Sequence, residues 1–191
     1  LEMRKCDFGD NKSCIIVAEG KTFHLEDCGF GESQSNTIQM KKIWASNPMI
    51  IRCAFAGSND SCIEVKGSSS LIIRNCKFKD KLSEGHSTED PLVRARNGCN
   101  IAIIESGFSD INRTCVKAVK QSKINLEKCN FTGNKNGTDY AICIESKSKA
   151  KISNCTFDWG NSKLLSAKDC ESVTIEGIRS KINKTENTQG G

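Results

Sequence analysis

Ile124-Asn125-Leu126-Glu127-Lys128-Cys129-Asn130-Phe131 decides the fold, because the same phrase returns along most of the chain. Two apolar residues stand at alternate positions, a polar corner comes next, and Cys-x-Phe closes the phrase. Other copies are Phe23-His24-Leu25 to Cys28-Gly29-Phe30, Ile50 to Cys53-Ala54-Phe55, and Leu71-Ile72-Ile73 to Cys76-Lys77-Phe78. Ile101-Ala102-Ile103 to Ser106-Gly107-Phe108 and Ala150-Lys151-Ile152 to Cys155-Thr156-Phe157 continue the series. A half copy, Cys6-Asp7-Phe8, stands in front, and a decayed one, Val173-Thr174-Ile175 to Ile178, stands behind.

The phenylalanines at 8, 30, 55, 78, 108, 131 and 157 are spaced by 22, 25, 23, 30, 23 and 26 residues. Between each Phe and the next copy lies one more short apolar strand, such as Ile63-Glu64-Val65 or Ile142-Cys143-Ile144. Stretches rich in Ser, Asn, Gly and Asp separate the pieces and supply turn chemistry. A period of this length with three short strands is a solenoid coil. One coil cannot bury its apolar row, but coils stacked at roughly 4.8 Å bury a continuous one. Strand alternation sends Leu126, Cys129 and Phe131 inward and Asn125, Lys128 and Asn130 to water. The Leu-x-x-Leu-x-Leu phrase of leucine-rich repeats is missing, and no segment carries a helical period of adequate length. The expected fold is therefore all-β: a right-handed parallel β-helix of about eight coils of 22–30 residues, each with three short strands.

Composition agrees with a narrow core. Hydrophobic residues make up 37% of the 191, and aromatics only 6%, which suits a column of small and branched side chains. Charged residues, at 27%, are spread throughout, unlike a disordered chain. No run of about 18 apolar residues exists to span a membrane, and no apolar segment succeeds a basic start as in a signal peptide. Residues 1–182 form one expected domain with an incomplete first coil, and 183–191 a polar tail. The uncapped first coil predicts a longer parent chain, a flanking domain, or a partner docked on one end.

The repeat resembles the right-handed parallel β-helix superfamily that includes pectate lyases, polygalacturonases, phage tailspikes and autotransporter passengers. A looser resemblance is to polymorphic outer-membrane-protein repeats, whose phrase is Phe-x-x-Asn and then Gly-Gly-Ala-Ile. Phe8-Gly9-Asp10-Asn11 and Phe131-Thr132-Gly133-Asn134 match the first half, and Asp139-Tyr140-Ala141-Ile142 echoes the second. The superfamily hosts both enzymes and inert stalks, so the resemblance speaks for fold more than for function. Fold analogy points to an extracellular or cell-surface setting.

Six of the twelve cysteines (6, 28, 53, 76, 129 and 155) share one position of the repeat, and Cys14, Cys62 and Cys115 share another. No Cys-x-x-Cys occurs and only two histidines, His24 and His86, are present, so no metal or cofactor is expected. Neighbouring ladder positions bring Cα atoms within bridging range, but side chains in register hold their Cβ atoms beyond the usual window. Two readings stay open: buried free thiols acting as small hydrophobes, with a reduced intracellular setting, or disulfides in an oxidising one. Seven Asn-x-Ser/Thr sequons (11, 59, 112, 130, 136, 154 and 183) carry little weight in a chain so rich in these residues.

Two periods are stretched, at 79–91 and 132–140, and both insertions leave the same corner, with the short Asp110–Arg113 corner between them. The cleft they flank can gather Glu84, His86, Glu89, Asp90, Asp110, Arg113 and Asp139, with Tyr140 and Trp159 as aromatic platforms. Paired carboxylates beside an aromatic surface suit glycoside chemistry; solvated insertion loops are the plainer alternative. The resemblance implies catalytic phrases such as Asn-Thr-Asp, Gly-His-Gly and Arg-Ile-Lys in polygalacturonases, and all are missing here. A calcium-binding lyase site would have to be built on Glu89 and Asp90 beside Arg113. Basic residues, including Lys117, Lys120 and Lys123, thicken along the third-strand side and form a stripe suited to acidic glycans, interrupted by Glu64 and Glu145. Aromatics that would stack on bases are missing, so no specific nucleic-acid partner is expected. The expected function is a non-catalytic scaffold or adhesin-like module binding a glycan or protein along one face. The alternative is a polysaccharide lyase or glycoside hydrolase working in the cleft.

Overall fold

The computed structural model describes residues 1–10, 16–20, 22–43, 47–80, 90–133, 140–160 and 163–180. The expected tail and the centres of both insertions lie outside the described residues. Each repeat phrase becomes two strands joined at a tight corner, and the apolar segment after it becomes a third. Asn100–Ile104, Gly107–Ile111 and Val116–Val119 make one such coil. Equivalent strands pair in parallel from coil to coil, giving among the described residues two sheets of eight strands and a third of seven. The first sheet runs from Glu2–Arg4 to Ser172–Glu176, the second from Asp7–Phe8 to Arg179–Ser180, and the third from Ile16–Gly20 to Leu165–Lys168. No helix occurs among the described residues, and none long and apolar enough to cross a membrane.

The interior is a set of columns, one residue per coil. Phe8, Phe30, Phe55, Phe78, Phe108, Phe131 and Phe157 stack with ring centroids 4.8–5.0 Å apart and ring planes within 4–9° of parallel. Leu25, Ile50, Ile73, Ile103, Leu126 and Ile152 form a parallel column behind the first sheet. The expected alternation holds: Leu126, Cys129 and Phe131 are buried while Lys128 and Asn130 are exposed.

The corner between the first and second sheets explains why the phrase tolerates any polar residue before its cysteine. Lys5, Asp27, Arg52, Asn75, Glu105, Lys128 and Asn154 all take φ of 51–55°, and Gly177 takes 62°. A single left-handed residue turns the chain there, at a conformational cost for every residue but glycine. Stacked corners align their charges: Arg52 grips Asp27 at 2.7 Å and Glu26 at 2.5 Å, and Lys128 lies 3.8 Å from Glu105.

All eleven described cysteines are free, nine of them buried. In the ladder, Cys28, Cys53, Cys76, Cys129 and Cys155 each donate to the carbonyl two residues back. Ser106, which interrupts the ladder, does the same at 2.9 Å and also accepts from the Cys76 amide. The neighbouring sulfurs of Cys76 and Cys155, together with burial, push the Cys53 and Cys129 thiols up. Burial pushes the Cys62 thiol up to about 12. Cys62 and Cys115 lie in alternate coils with Leu92 between them, as their spacing predicts. A further column, Ser69–Cys99–Ser122–Ser148, lines the corner between the third and first sheets and is not evident from the repeat phrase.

Candidate functional site

The flanks of the two insertions stack at one corner. Phe78, Phe108 and Phe131 are register partners before it, and Val93, Val116 and Ile142 after it. Glu84, His86, Glu89 and Asp139 lie outside the described residues. Those candidates that are described have structural work. Arg113 is 3% exposed, and its guanidinium faces inward. Its Nε lies 3.0 Å from the buried Asp80 carboxylate, and its terminal nitrogens donate to the carbonyls of Asp60 at 2.9 Å, Asp90 at 3.2 Å and Ser58. Asp80 also accepts from the Asn112 amide at 3.1 Å. Arg113 therefore ties three successive corners together rather than facing a cleft, a correction to its expected place. Asp90 is held 2.5 Å from Arg94, and the exposed Asp110, at φ 57°, lies 3.9 Å from Lys79.

Trp159 requires a second correction. It is 3% exposed, because alternation along Thr156–Trp159 sends both Phe157 and Trp159 inward. It stacks under Gly133, which in turn lies under Ile111. At Gly133, with φ 145°, a Cβ would collide with the Ile111 carbonyl, so only glycine fits. Tyr140 is 36% exposed and has Lys163 5.8 Å over its ring.

The expected basic stripe bends around a corner. Lys117 lies on the third sheet, 3.1 Å from Glu145; Lys120 lies at the corner, and Lys123 opens a first-sheet strand. Glu64, on the third sheet, is buried yet ringed by Lys66 at 2.8 Å, Gln39 at 2.9 Å, Asn36 at 3.3 Å and Arg96 at 3.5 Å. Burial would push its carboxyl up, but the hydrogen bonds from Lys66 and Gln39 outweigh it and hold the group below its ordinary value. Asp60 goes the other way: burial pushes it up, and Asp90 and Glu64 add to the effect.

The surface the repeat did not single out is the outer face of the first sheet. Met49, Ile51, Ile72, Ala102 and Ile104 point outward from three successive strands and stay half-exposed. Beside them a shallow groove of ≈ 250 Å³ is lined by Ser70, Ile72, Asn100, Ala102, Lys123 and Asn125. The Asn125 Oδ1 is enclosed there without a hydrogen-bond partner. The signal was in the sequence: Ile50-Ile51, Leu71-Ile72-Ile73 and Ile103-Ile104 are unbroken apolar runs where alternation calls for a polar residue. Among the described residues no cluster of three or more His, Cys, Asp or Glu is placed to hold a metal ion.

A family model described as "Right handed beta helix region" matches residues 1–144. No curated protein and no solved structure matches the chain.

Proposed function

The chain belongs to the right-handed β-helix family, and on that footing we propose that it is a non-catalytic binding scaffold, adhesin-like in recognising a glycan or protein along one face. The observation that carries this reading is the aliphatic outer face of the first sheet. Water-facing positions in a β-helix strand are ordinarily polar, and contiguous apolar side chains on a surface mark an interaction site. Met49, Ile51, Ile72, Ala102 and Ile104 break that pattern together, on adjacent strands. A screen of the intact protein against displayed peptides and a glycan panel tests it. Binders should be lost on the paired change Ile72→Lys and Ile104→Lys with an unchanged melting temperature. Binders indifferent to that pair would move the site elsewhere.

A second reading, a polysaccharide lyase or glycoside hydrolase at the insertion corner, draws on Asp60, whose carboxyl holds its proton more readily through burial, with Asp90 adding to the effect. Its test is release of reducing or unsaturated ends from a polysaccharide panel. Turnover that falls on Asp60→Asn or Asp90→Ala would replace the scaffold with an enzyme.

A further inference from the structure

We infer that the outer face of the first sheet takes an extended peptide segment carrying aliphatic residues at one end and carboxylates at the other, laid along the axis of the stack. The inference rests on the reading of this face as the binding surface. Successive strands place Met49, Ile72, Ala102, Asn125 and Lys151 in one column. At about 4.8 Å per strand the column is roughly 19 Å long, the span of about six extended residues. Its character changes along that length. The Met49–Ala102 end is aliphatic, with Ile51 and Ile104 alongside.

The other end is basic. Lys123 and Lys149 are register partners at the start of their strands, and Lys120 and Lys147 occupy the adjoining corner with φ of 56° and 58°. Glu171 answers Lys149 at 2.7 Å and Glu176 answers Lys151 at 3.9 Å. Lys120, Lys123 and Lys147 have no ion-pair partner among the described residues. Between the two ends, Asn125 continues the column as the register partner of both Ala102 and Lys151. A peptide fits this better than a sugar chain or a nucleic acid. Single-stranded nucleic acid relies on aromatic faces for stacking, and here Trp159 is buried and Tyr140 belongs to another corner; a sugar chain carries no aliphatic side chains to match Ile72 and Ile104.

Titration of the intact protein with labelled synthetic peptides, read by fluorescence anisotropy, tests the inference. One peptide of about eight residues, long enough to cover the column, carries an aliphatic half and a glutamate half. A second has glutamines for the glutamates, and a third has serines for the aliphatics. A sulfated oligosaccharide and a single-stranded oligonucleotide complete the set. Two variants accompany them: Lys120→Asn with Lys123→Gln and Lys147→Asn, where asparagine accepts the left-handed corner, and Ile72→Thr with Ile104→Thr. The two-part peptide should bind, and each variant should weaken it at least about tenfold; the lysine variant should also flatten its salt dependence. Equal binding of the glutamine peptide, unaffected by the lysine changes, would overturn this inference and leave the apolar binding face standing. Polyanions binding as well as the peptide, indifferent to Ile72 and Ile104, would overturn both. Failure of the two-part peptide to bind, while displayed binders still depend on Ile72, would reject the peptide chemistry alone.

Discussion

Asp60 and Glu64 sit four residues apart, one at a corner and one on a strand, and their protonation pulls in opposite directions. The Asp60 carboxyl is raised in the folded chain, so its ionisation costs stability above its unfolded value of 3.8, and the cost is in full force at neutral pH. Asp60→Asn keeps the carbonyl that Arg113 grips. It should raise the melting temperature at pH 7, with the gain fading as the pH falls toward about 4 and gone below it. Glu64 is lowered, as are Glu26 and Asp27 through their hydrogen bonds from Arg52. Their contribution is present above the unfolded carboxylate values and is lost as the pH falls through the folded ones, so they define the acid limb of the stability curve. Arg113→Met removes a cation beside Asp80 and the donor to three carbonyls; denaturant unfolding should register a loss of about 3–5 kcal/mol. Arg113→Lys keeps the charge without the planar fork and should recover only part of it. This role was not legible in the sequence. Arg113 sits in a short corner between two insertions, which reads as a cleft, whereas its partners at 58, 60, 80 and 90 come from neighbouring coils.

At the scale of the strand, the Phe column fixes the register that the repeat phrase predicted. The rings lie parallel with centroids 4.8 Å apart, inside the range of favoured stacked pairs, because in-register parallel strands impose that repeat. Phe131, between Phe108 and Phe157, is fully buried. Phe131→Ala should therefore cost about 3–5 kcal/mol in equilibrium unfolding; a loss near zero would put the ring outside the core. Strand alternation made the inward columns readable, since one misplaced residue would turn Phe131 and Leu126 to solvent. Trp159 escaped the same logic because it stands beyond the Cys-x-Phe phrase, where the strand Thr156–Trp159 outlasts it. The lysines were legible as a group but not as a surface: Lys117, Lys120 and Lys123 are close in sequence, yet a corner separates their faces.

Across the whole molecule, each coil packs on the ones above and below it, with Arg113 also reaching two coils away to Ser58 and Asp60, and stability is close to a sum over interfaces. Nine buried thiols lie within that stack, and Cys6 and Cys170 are half-buried near its two ends. A thiol reagent added to native protein without reductant should label the end cysteines first, and denaturation should release the rest toward the full twelve. A requirement for reductant would mean that the column closes into disulfides. The last described first-sheet strand leaves Ile175, the register partner of the buried Ile152, 52% exposed. The row of left-handed corners has a bearing on how such a chain can be edited. Solenoids lengthen or shorten by whole repeats, and here the first three corners read plus, minus, plus: Lys5, Asp27, Arg52. Excising the middle repeat would splice two cations into adjacency, where like charges repel, while duplicating the Lys5–Asp27 pair would preserve the alternation. The edge thus carries a parity rule, and this end of the chain can grow or shrink by two turns more readily than by one.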